Sequence, residues 1–375
     1  MKRKIRVLHV AEAAGGVEKY LEILFKYSRD KVENILVCSQ NYDYEKLKTL
    51  ADRVIVLKMV HGIGPSSDIK VERTLRKIIK KLKPDIIYAH SSKAGALARI
   101  ANLGLKTKLI YNPHGWAFNE VPNGLKGRIK HILFKKIEKV ESPFADRIIC
   151  ISNFEKKTAI ENKIASPAEL RVIYNGIDFD EVKKEMGKKV NILIPKDSFV
   201  VGMVGRITET KAPDTFVKAA KIIKKKIKNA YFVIVGHGDL RSEIEKLIKQ
   251  EGLEDSFHIT GWVDDPVKYM NLMDVGMLLS RWEGFGLVLP EYMFANVPIV
   301  ATNVGGIPDV IHDNQNGLLV EKDNCVEVSD AVIRLHDNLK LRQALVNRAT
   351  LDVHKYDGKR VAREIEEVYK EIIYR

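Results

Sequence analysis

The stretch 277–310 reads MLLSRWEGFGLVLPEYMFANVPIVATNVGGIPDV, and its reading decides the fold. The apolar run from Val275 to Leu279 is the length of one buried strand. A loop follows, Ser280-Arg281-Trp282-Glu283-Gly284-Phe285-Gly286, and then a helical pattern from Leu287 to Phe294. Pro298 and Ile299-Val300-Ala301 open the next strand, which ends on Gly305-Gly306. This is a strand–loop–helix–strand unit of a parallel sheet. It carries one carboxylate in the loop, Glu283, and a second, Glu291, one turn into the helix.

A helix entered through Gly286 offers free backbone N–H groups, at Leu287 and Val288 among others, and the positive end of its dipole to an anion. Ionised acids nearby suit sugar or ribose hydroxyls, each such hydrogen bond contributing roughly 1.5–3 kcal/mol. Diphosphate on the helix end and hydroxyls on the acids describe a nucleotide-sugar. The same two acids read as a retaining glycosidase pair would have to lie about 5–5.5 Å apart. Eight residues of helix separate two positions by roughly 12 Å, and part of this spacing is loop. Two surface acids beside an ordinary loop remain the plain alternative.

At 375 residues the chain has length for two domains with their own cores. No apolar run nears the roughly 18–20 residues of a membrane span. The opening MKRKIRVLHVAEAAGG sets basic residues before apolar ones, yet Ile5 to Ala11 is only a strand's length and runs into a Gly-rich turn. It is expected as a first strand rather than a signal peptide. Cys38, Cys150 and Cys325 have no metal or redox spacing and are expected as buried free thiols of a cytoplasmic protein.

The net charge of +14 lies mainly on lysines of amphipathic helices, as in 70–83 and 221–228. Residues 125–140, Leu125 to Val140 (LKGRIKHILFKKIEKV), are different. Ile129, Leu133, Ile137 and Val140 share one helical face, ringed by Lys126, Arg128, Lys130, Lys135, Lys136 and Lys139. Such a helix can lie on an anionic bilayer, as a peripheral contact, or pack as a surface helix of its own domain. No recognition motif accompanies the charge, so nucleic acid is not expected as a partner.

Strands are predicted at 5–11, 34–39, 53–58, 85–89, 109–111, 147–152 and 170–174, with helical patterns between them, which makes an α/β domain with a parallel sheet. Asn175-Gly176 closes it, with the domain taken as 1–178. The charged, weakly patterned stretch 179–197 is predicted as linker. A second alternation, 198–355, has strands at 199–204, 231–235, 257–260, 275–279, 299–301 and 318–320. Two such halves imply a cleft between them.

Several loops after these strands carry candidate chemistry. Ala14-Gly15-Gly16-Val17-Glu18 opens the first helix, but it is not G-x-G-x-x-G, and Cys38-Ser39-Gln40 ends the next strand without an acid. A nicotinamide-dependent oxidoreductase is therefore disfavoured. Asn112-Pro113-His114-Gly115-Trp116 sits after a strand, with His114 expected to be exposed to the cleft rather than buried. Trp116, Phe118 and the turn Val121-Pro122-Asn123-Gly124 are candidates for an acceptor platform. Gly205-Arg206, with Lys211 five residues on, places two cations where they can clamp a diphosphate, arginine as a fork and lysine as a point charge. Gly236 lies in Gly236-His237-Gly238, and Val263 in Gly261-Trp262-Val263. Asp178-Phe179-Asp180 is a D-x-D, a metal–diphosphate pattern.

Taken in order, these motifs resemble the retaining glycosyltransferases of family 4 (group 1), including those of bacterial capsule and exopolysaccharide assembly, over nearly the whole chain. The resemblance rests on Glu283 and Glu291 as an E-x7-E pair, Gly205-Arg206 with Lys211, the His114-Gly115 motif, Gly15-Gly16 and Asn303-Val304-Gly305-Gly306. Three positions depart from the usual pattern: Ala212, Asn296 and Asp309.

The resemblance implies a GT-B fold, two Rossmann-like domains facing a cleft, with a last helix, 356–375, packing back on the first. It implies transfer of a sugar from a nucleotide-sugar, most simply UDP-linked, to a hydroxyl of a lipid-linked or polysaccharide precursor. His114 and Glu283 would hold the transferred sugar, Arg206 and Lys211 the diphosphate, and Glu291 the ribose. Gly15, Gly16, Gly205, Gly236, Val263, Gly286, Leu287 and Val288 would approach the donor through their backbones. No metal or other cofactor is expected, and N-G-x-D at 175–178 carries no metal in that family. A sugar-nucleotide epimerase of similar shape and a non-catalytic membrane scaffold are the rivals from other classes.

Overall fold

The computed structural model describes residues 3–59, 62, 64–119 and 124–374. The chain divides into two units, Met1–Gly176 with Gly358–Arg375, and Ile177–Asp357.

In the first unit, strands β1 (Ile5–Ala11), β2 (Val32–Cys38), β3 (Arg53–Val56), β4 (Ile86–His90), β5 (Lys108–Asn112), β6 (Arg147–Cys150) and β7 (Leu170–Val172) form one sheet in the order β3-β2-β1-β4-β5-β6-β7. Every pairing is parallel. Parallel strands are covered on both faces, so their sequences run apolar almost continuously. Leu8, Val10, Ile87 and Ala89 pack on one face beneath Leu75, Ile79 and Leu97. Val7, Ile86, Tyr88 and Ile110 pack on the other against Tyr20 and Leu24 of the helix Gly16–Ser28. The last helix, Gly358–Tyr374, joins this second layer through Val361, Ile365, Tyr369 and Ile372.

In the second unit, β8 (Phe199–Val204), β9 (Ala230–Val235), β10 (Phe257–Ile259), β11 (Val275–Leu278), β12 (Ile299–Thr302) and β13 (Leu318–Val320) run in the order β10-β9-β8-β11-β12-β13, again all parallel. Met203, Phe232, Ile234, Met277 and Val300 bury one face under Phe216, Ala220 and Ile223 of the helix Pro213–Lys226. Each sheet has helices on its faces and all its carboxyl-end loops along one edge.

The stretch 179–197 opens with a helix, Phe179–Met186, that belongs to the second unit. Asp178 caps it, its Oδ1 accepting the N–H of Asp180 (3.1 Å) and Glu181 (3.2 Å). Asn271 donates to the Met186 carbonyl at 2.6 Å, and Lys188 pairs with Asp265 at 2.6 Å. Its apolar residues Phe179, Val182 and Met186 fall at i, i+3 and i+7 on one helical face, a pattern that eight mostly charged residues present only once. The first aspartate of the D-x-D is thus engaged in capping.

Ile365 is fully buried beneath the first sheet. Ile365→Ala is expected to destabilise the first unit by about 2–5 kcal/mol. Urea unfolding followed by circular dichroism checks it; a shift below about 0.5 kcal/mol, the range of surface substitutions, would mean the helix does not belong to that core.

Candidate functional site

Open parallel sheets bind ligands at the carboxyl ends of strands where the winding direction reverses. That reversal falls between β8 and β11 in the second unit, and between β1 and β4 in the first.

The loop after β8 is anchored by Ile207, fully buried, whose N–H donates to the His237 carbonyl and whose carbonyl accepts from Leu240 N–H. Gly236 runs in backbone contact with Gly205: a Cβ at Gly236 would run into the Gly205 carbonyl, and its φ of +151° suits glycine. Arg206 is exposed and its guanidinium meets no protein partner among the described residues. Lys211 Nζ forms an ion pair with Glu283 Oε2, from the loop after β11. Ser280 Oγ donates to the same carboxylate oxygen at 3.1 Å, and the Ser280 carbonyl accepts from Thr302 Oγ1 at 2.6 Å. The Glu283 backbone is fixed too, its carbonyl accepting from Gly306 N–H at 2.9 Å. Gly305, at φ +55°, passes so close that a Cβ would overlap that carbonyl. Lys211 and Glu283, assigned from sequence to different parts of a donor, are therefore held against each other.

Arg281 was not singled out in the sequence, and it stitches these loops together. Its N–H donates to the Thr210 carbonyl (2.8 Å), its guanidinium Nη2 is shared between both oxygens of Asp214 (2.9 Å each), and Nε and Nη1 reach Asp323 (2.7 Å) and the Glu209 carbonyl (2.7 Å). Burial pushes the Asp214 carboxyl up, but the Arg281 guanidinium outweighs it and holds the group below the usual carboxylate range. No local spacing announces partners that lie 67 and 42 residues away.

Glu291 lies in the first turn of the helix Val288–Phe294, which starts one residue later than the sequence pattern. At seven residues this helix is short, so cations supply most of any anion attraction here. Gly286 leads into it at φ +82°, with Leu287 and Val288 half-buried. Tyr292 pins the helix to the sheet, its hydroxyl accepting from Val204 N–H at 3.0 Å. Val263, half-buried, follows Gly261, which pairs with Gly236 in an isolated bridge. A shallow pocket lined by Asp274, Asn296, Pro298, Arg342 and Thr350 lies where β11 and β12 begin, at the opposite edge of the sheet from this cluster.

In the first unit Gly15 and Gly16 follow β1 and are exposed at the start of the helix Gly16–Ser28. His114 follows β5 at a left-handed φ of +52°, its N–H donating to Asn112 Oδ1 at 2.9 Å. The expectation of an open imidazole is corrected: the ring is half-buried and turned inward, Nε2 lying 3.0 Å from His90 Nδ1. Burial drives its pKa down to about 3, with the same value and cause for His9, while His90 is lowered by burial and then by His114 and His9. Trp116 and Phe118 are also corrected. Both are fully buried, and Trp116 Nε1 donates to the Glu155 carbonyl at 3.0 Å, so neither is an acceptor platform. Val121, Pro122 and Asn123 lie outside the described residues.

The basic segment forms the helix Leu125–Glu141. Its inner side is tied by Glu138, which accepts from Tyr111 Oη at 2.7 Å and lies 3.5 Å from the buried Arg99 guanidinium; Glu141 takes the same guanidinium at 2.8 Å. Leu125, Ile129, Ile132, Leu133 and Val140 stay exposed, among exposed Lys126, Arg128, Lys130, Lys136 and Lys139. Ile137, placed by the sequence with the apolar face, is half-buried. No helix among the described residues is long and apolar enough to cross a membrane.

His9 and His90 stay neutral in the fold, so the unfolded chain binds their protons first as pH falls below about 6.5. A folded pKa below the unfolded one removes stability on acidification, at up to about 1.4 kcal/mol per pH unit per histidine. Urea midpoints of the first unit are expected to drop between pH 7 and pH 5; a flat profile would contradict neutral burial.

Comparison with known proteins gives two family matches: residues 14–181 match the model for Glycosyltransferase Family 4, and residues 187–352 the model for Glycosyl transferases group 1. The chain is 27% identical to the UDP-Gal:alpha-D-GlcNAc-diphosphoundecaprenol alpha-1,3-galactosyltransferase of Escherichia coli, over 99% of this chain and 98% of that one. It is 27% identical to the capsular polysaccharide biosynthesis glycosyltransferase CapM of Staphylococcus aureus, over 87% of each. Among solved structures, Anabaena HepE in complex with UDP superposes with a TM-score of 0.79 at 20% identity, covering 98% of this chain and all of that one.

Proposed function

The chain belongs to the group 1 and family 4 glycosyltransferases and has their GT-B fold, and from that premise we propose that it is a retaining, metal-independent transferase that moves a sugar from a UDP-sugar to a lipid-linked acceptor. The observation that carries the reading is the Lys211–Glu283 ion pair at the β8/β11 reversal, with Arg206, which meets no protein partner among the described residues, on the same loop. A UDP donor and a diphospholipid acceptor are what the E. coli relative's name describes.

As the sugar's anomeric C–O bond breaks, negative charge grows on the departing diphosphate. Arg206 forks onto it, and Lys211 turns from Glu283 to a phosphate oxygen, which frees the carboxylate to hold sugar hydroxyls. Glu291 takes the ribose hydroxyls, and the backbones of Gly205, Gly236, Val263, Gly286, Leu287 and Val288 border the nucleotide. Gly15, Gly16 and His114 serve the sugar. The acceptor hydroxyl attacks the carbon on the face the diphosphate leaves, forming the new C–O bond. Its proton goes to the departing phosphate oxygen, which retains configuration without a side-chain nucleophile. These two cations supply the charge neutralisation a divalent ion would otherwise give.

The exposed apolar and cationic face of the helix Leu125–Glu141 supports a peripheral position on an anionic, cytoplasmic membrane surface. That location would bring the lipid-linked acceptor to the enzyme.

A thermal-shift screen of nucleotide-sugars, led by UDP-galactose, identifies the donor, and release of UDP then reports turnover. Arg206→Ala is expected to lower kcat about 10²–10³-fold, and EDTA to leave the rate unchanged. Near-wild-type turnover of that variant, or loss of activity in EDTA, would overturn the clamp or the metal-free chemistry respectively. Interconversion of the sugar with UDP still attached would identify an epimerase instead. In flotation with phosphatidylglycerol vesicles, Ile129→Glu/Leu133→Glu is expected to abolish salt-sensitive binding; no binding by the parent protein would make this an ordinary surface helix.

A further inference from the structure

Two histidines that the transfer scheme leaves unused lie buried across the β1/β4 reversal. His9 is in β1 and His90 ends β4; both are fully buried. His9 Nδ1 lies 3.2 Å from His90 Nε2, and His90 Nδ1 lies 3.0 Å from His114 Nε2. Both nitrogens of His90 are thereby engaged, so the rings form a chain rather than a metal-ligand cluster; no group of metal-ligating side chains occurs among the described residues.

The far end of the chain fixes its direction. Asn34 Nδ2 donates to Ser28 Oγ at 3.1 Å, leaving Oδ1 to accept from His9 Nε2–H at 3.2 Å. His9 Nδ1 is then bare and accepts from His90 Nε2–H. His90 Nδ1 is bare in turn and accepts from His114 Nε2–H. A second proton on His9 or His90 would set two N–H groups face to face in one link. The groups around the rings are uncharged: Phe25 (4.9 Å from His9) and Tyr20 (4.7 Å from His114) from the helix Gly16–Ser28, and Tyr88 (4.1 Å from His90) from β4, with Tyr369 of the last helix beyond Tyr88. Burial raises the Tyr20, Tyr88 and Tyr369 phenols, which stay protonated. No carboxylate hydrogen-bonds to any of the three rings among the described residues. His114 Nδ1 has no protein partner among them either.

We propose that His9 and His90 are positioning residues for sugar transfer: their buried hydrogen bonds lock His114 into a single neutral tautomer, proton on Nε2, and present its Nδ1 lone pair to a hydroxyl of the transferred sugar. This rests on the contact between His114 and the donor sugar proposed above. The anomeric centre gains positive character as its bond to the diphosphate stretches. A neutral acceptor beside it holds the sugar without opposing that charge, as an imidazolium would. The left-handed backbone at His114, held by Asn112, aims the ring inward at the cost of a sparsely populated conformation.

Long-range 1H–15N spectra of the full-length protein with 15N-labelled histidine, at pH 7.5, read the tautomer directly, with the His114 signals assigned by their loss in His114→Asn. The expected result is His114 protonated at Nε2 and bare at Nδ1. A proton on Nδ1, or on both nitrogens, overturns the proposal with no variant needed. His90→Phe fills the space without hydrogen bonds; its His114 is expected to show mixed tautomers, and kcat for UDP release from the identified UDP-sugar to fall roughly 10–100-fold with donor KM little changed. His90→Gln, which can both donate and accept, is expected to recover part of the loss. A folded His90→Phe with the wild-type spectrum and kcat would overturn the proposal. Wild-type turnover in His114→Asn would instead overturn the sugar contact beneath it, and the spectrum tells the two failures apart.

Discussion

A lysine and a glutamate 72 residues apart in sequence are held against each other at the edge of a parallel sheet, and the second unit is arranged around that pair. Lys211 and Glu283 are each mostly shielded from water, with 20% and 15% of their side chains exposed. Shielding makes either charge costly to leave alone, and together they satisfy each other. The pair exists because β8 and β11 are neighbours in the sheet though not in sequence, so the loops that follow them leave side by side. Arg281 fastens those loops with hydrogen bonds to the Thr210 and Glu209 carbonyls, and Gly305 lets a third loop pass against the Glu283 backbone. On the transfer proposed above, the donor diphosphate takes the lysine and the sugar hydroxyls take the released carboxylate.

The first unit repeats the topology and fills the corresponding place differently. Its reversal lies between β1 and β4, whose register sets Ala11 opposite His90 and His9 opposite Tyr88. Instead of opposed charges the sheet there carries imidazoles bonded in series, in a surround of phenols and Phe25. A fold of this kind fixes where loops emerge; the residues placed at the reversal decide the chemistry.

The strands were legible because parallel strands buried on both faces write themselves as apolar runs. All thirteen appear where such runs occur, with ends displaced by at most two residues, as at 34–39 against Val32–Cys38. The helix Phe179–Met186 was passed over as linker although Phe179, Val182 and Met186 keep helical spacing, because eight mostly charged residues show that period only once and its hold comes from a cap and contacts with the second unit. Within the site, loop glycines and cations showed themselves by residue type and spacing. Their pairing did not, because Lys211 and Glu283 meet through sheet order, which local sequence does not encode. Trp116 misled for a related reason: an aromatic residue in a polar, glycine-bearing loop reads as surface, whereas its ring fills the core and its N–H finds the Glu155 carbonyl. His9 and His90 passed as strand interior, which they are; only the third dimension shows that their ring nitrogens join.

The contrast between the units has an electrostatic logic. Breaking a bond between a sugar and a diphosphate separates charge, negative on the phosphate and positive on the sugar. Cations help the first and hinder the second, so a protein performing this step gains by confining fixed positive charge to the phosphate side. In the second unit, Arg206 and Lys211 stand on one loop after β8. In the first, the three histidines are kept uncharged by burial and by the direction of their hydrogen bonds, although histidine in water lies near its point of protonation at neutral pH. Burying imidazoles in an aromatic setting is a costly way to fill a sheet that valine or isoleucine would fill with no polar atom to satisfy. The arrangement becomes intelligible if the ring at its end must offer a lone pair and never a proton's charge, and the chain from Asn34 to His114 enforces that condition.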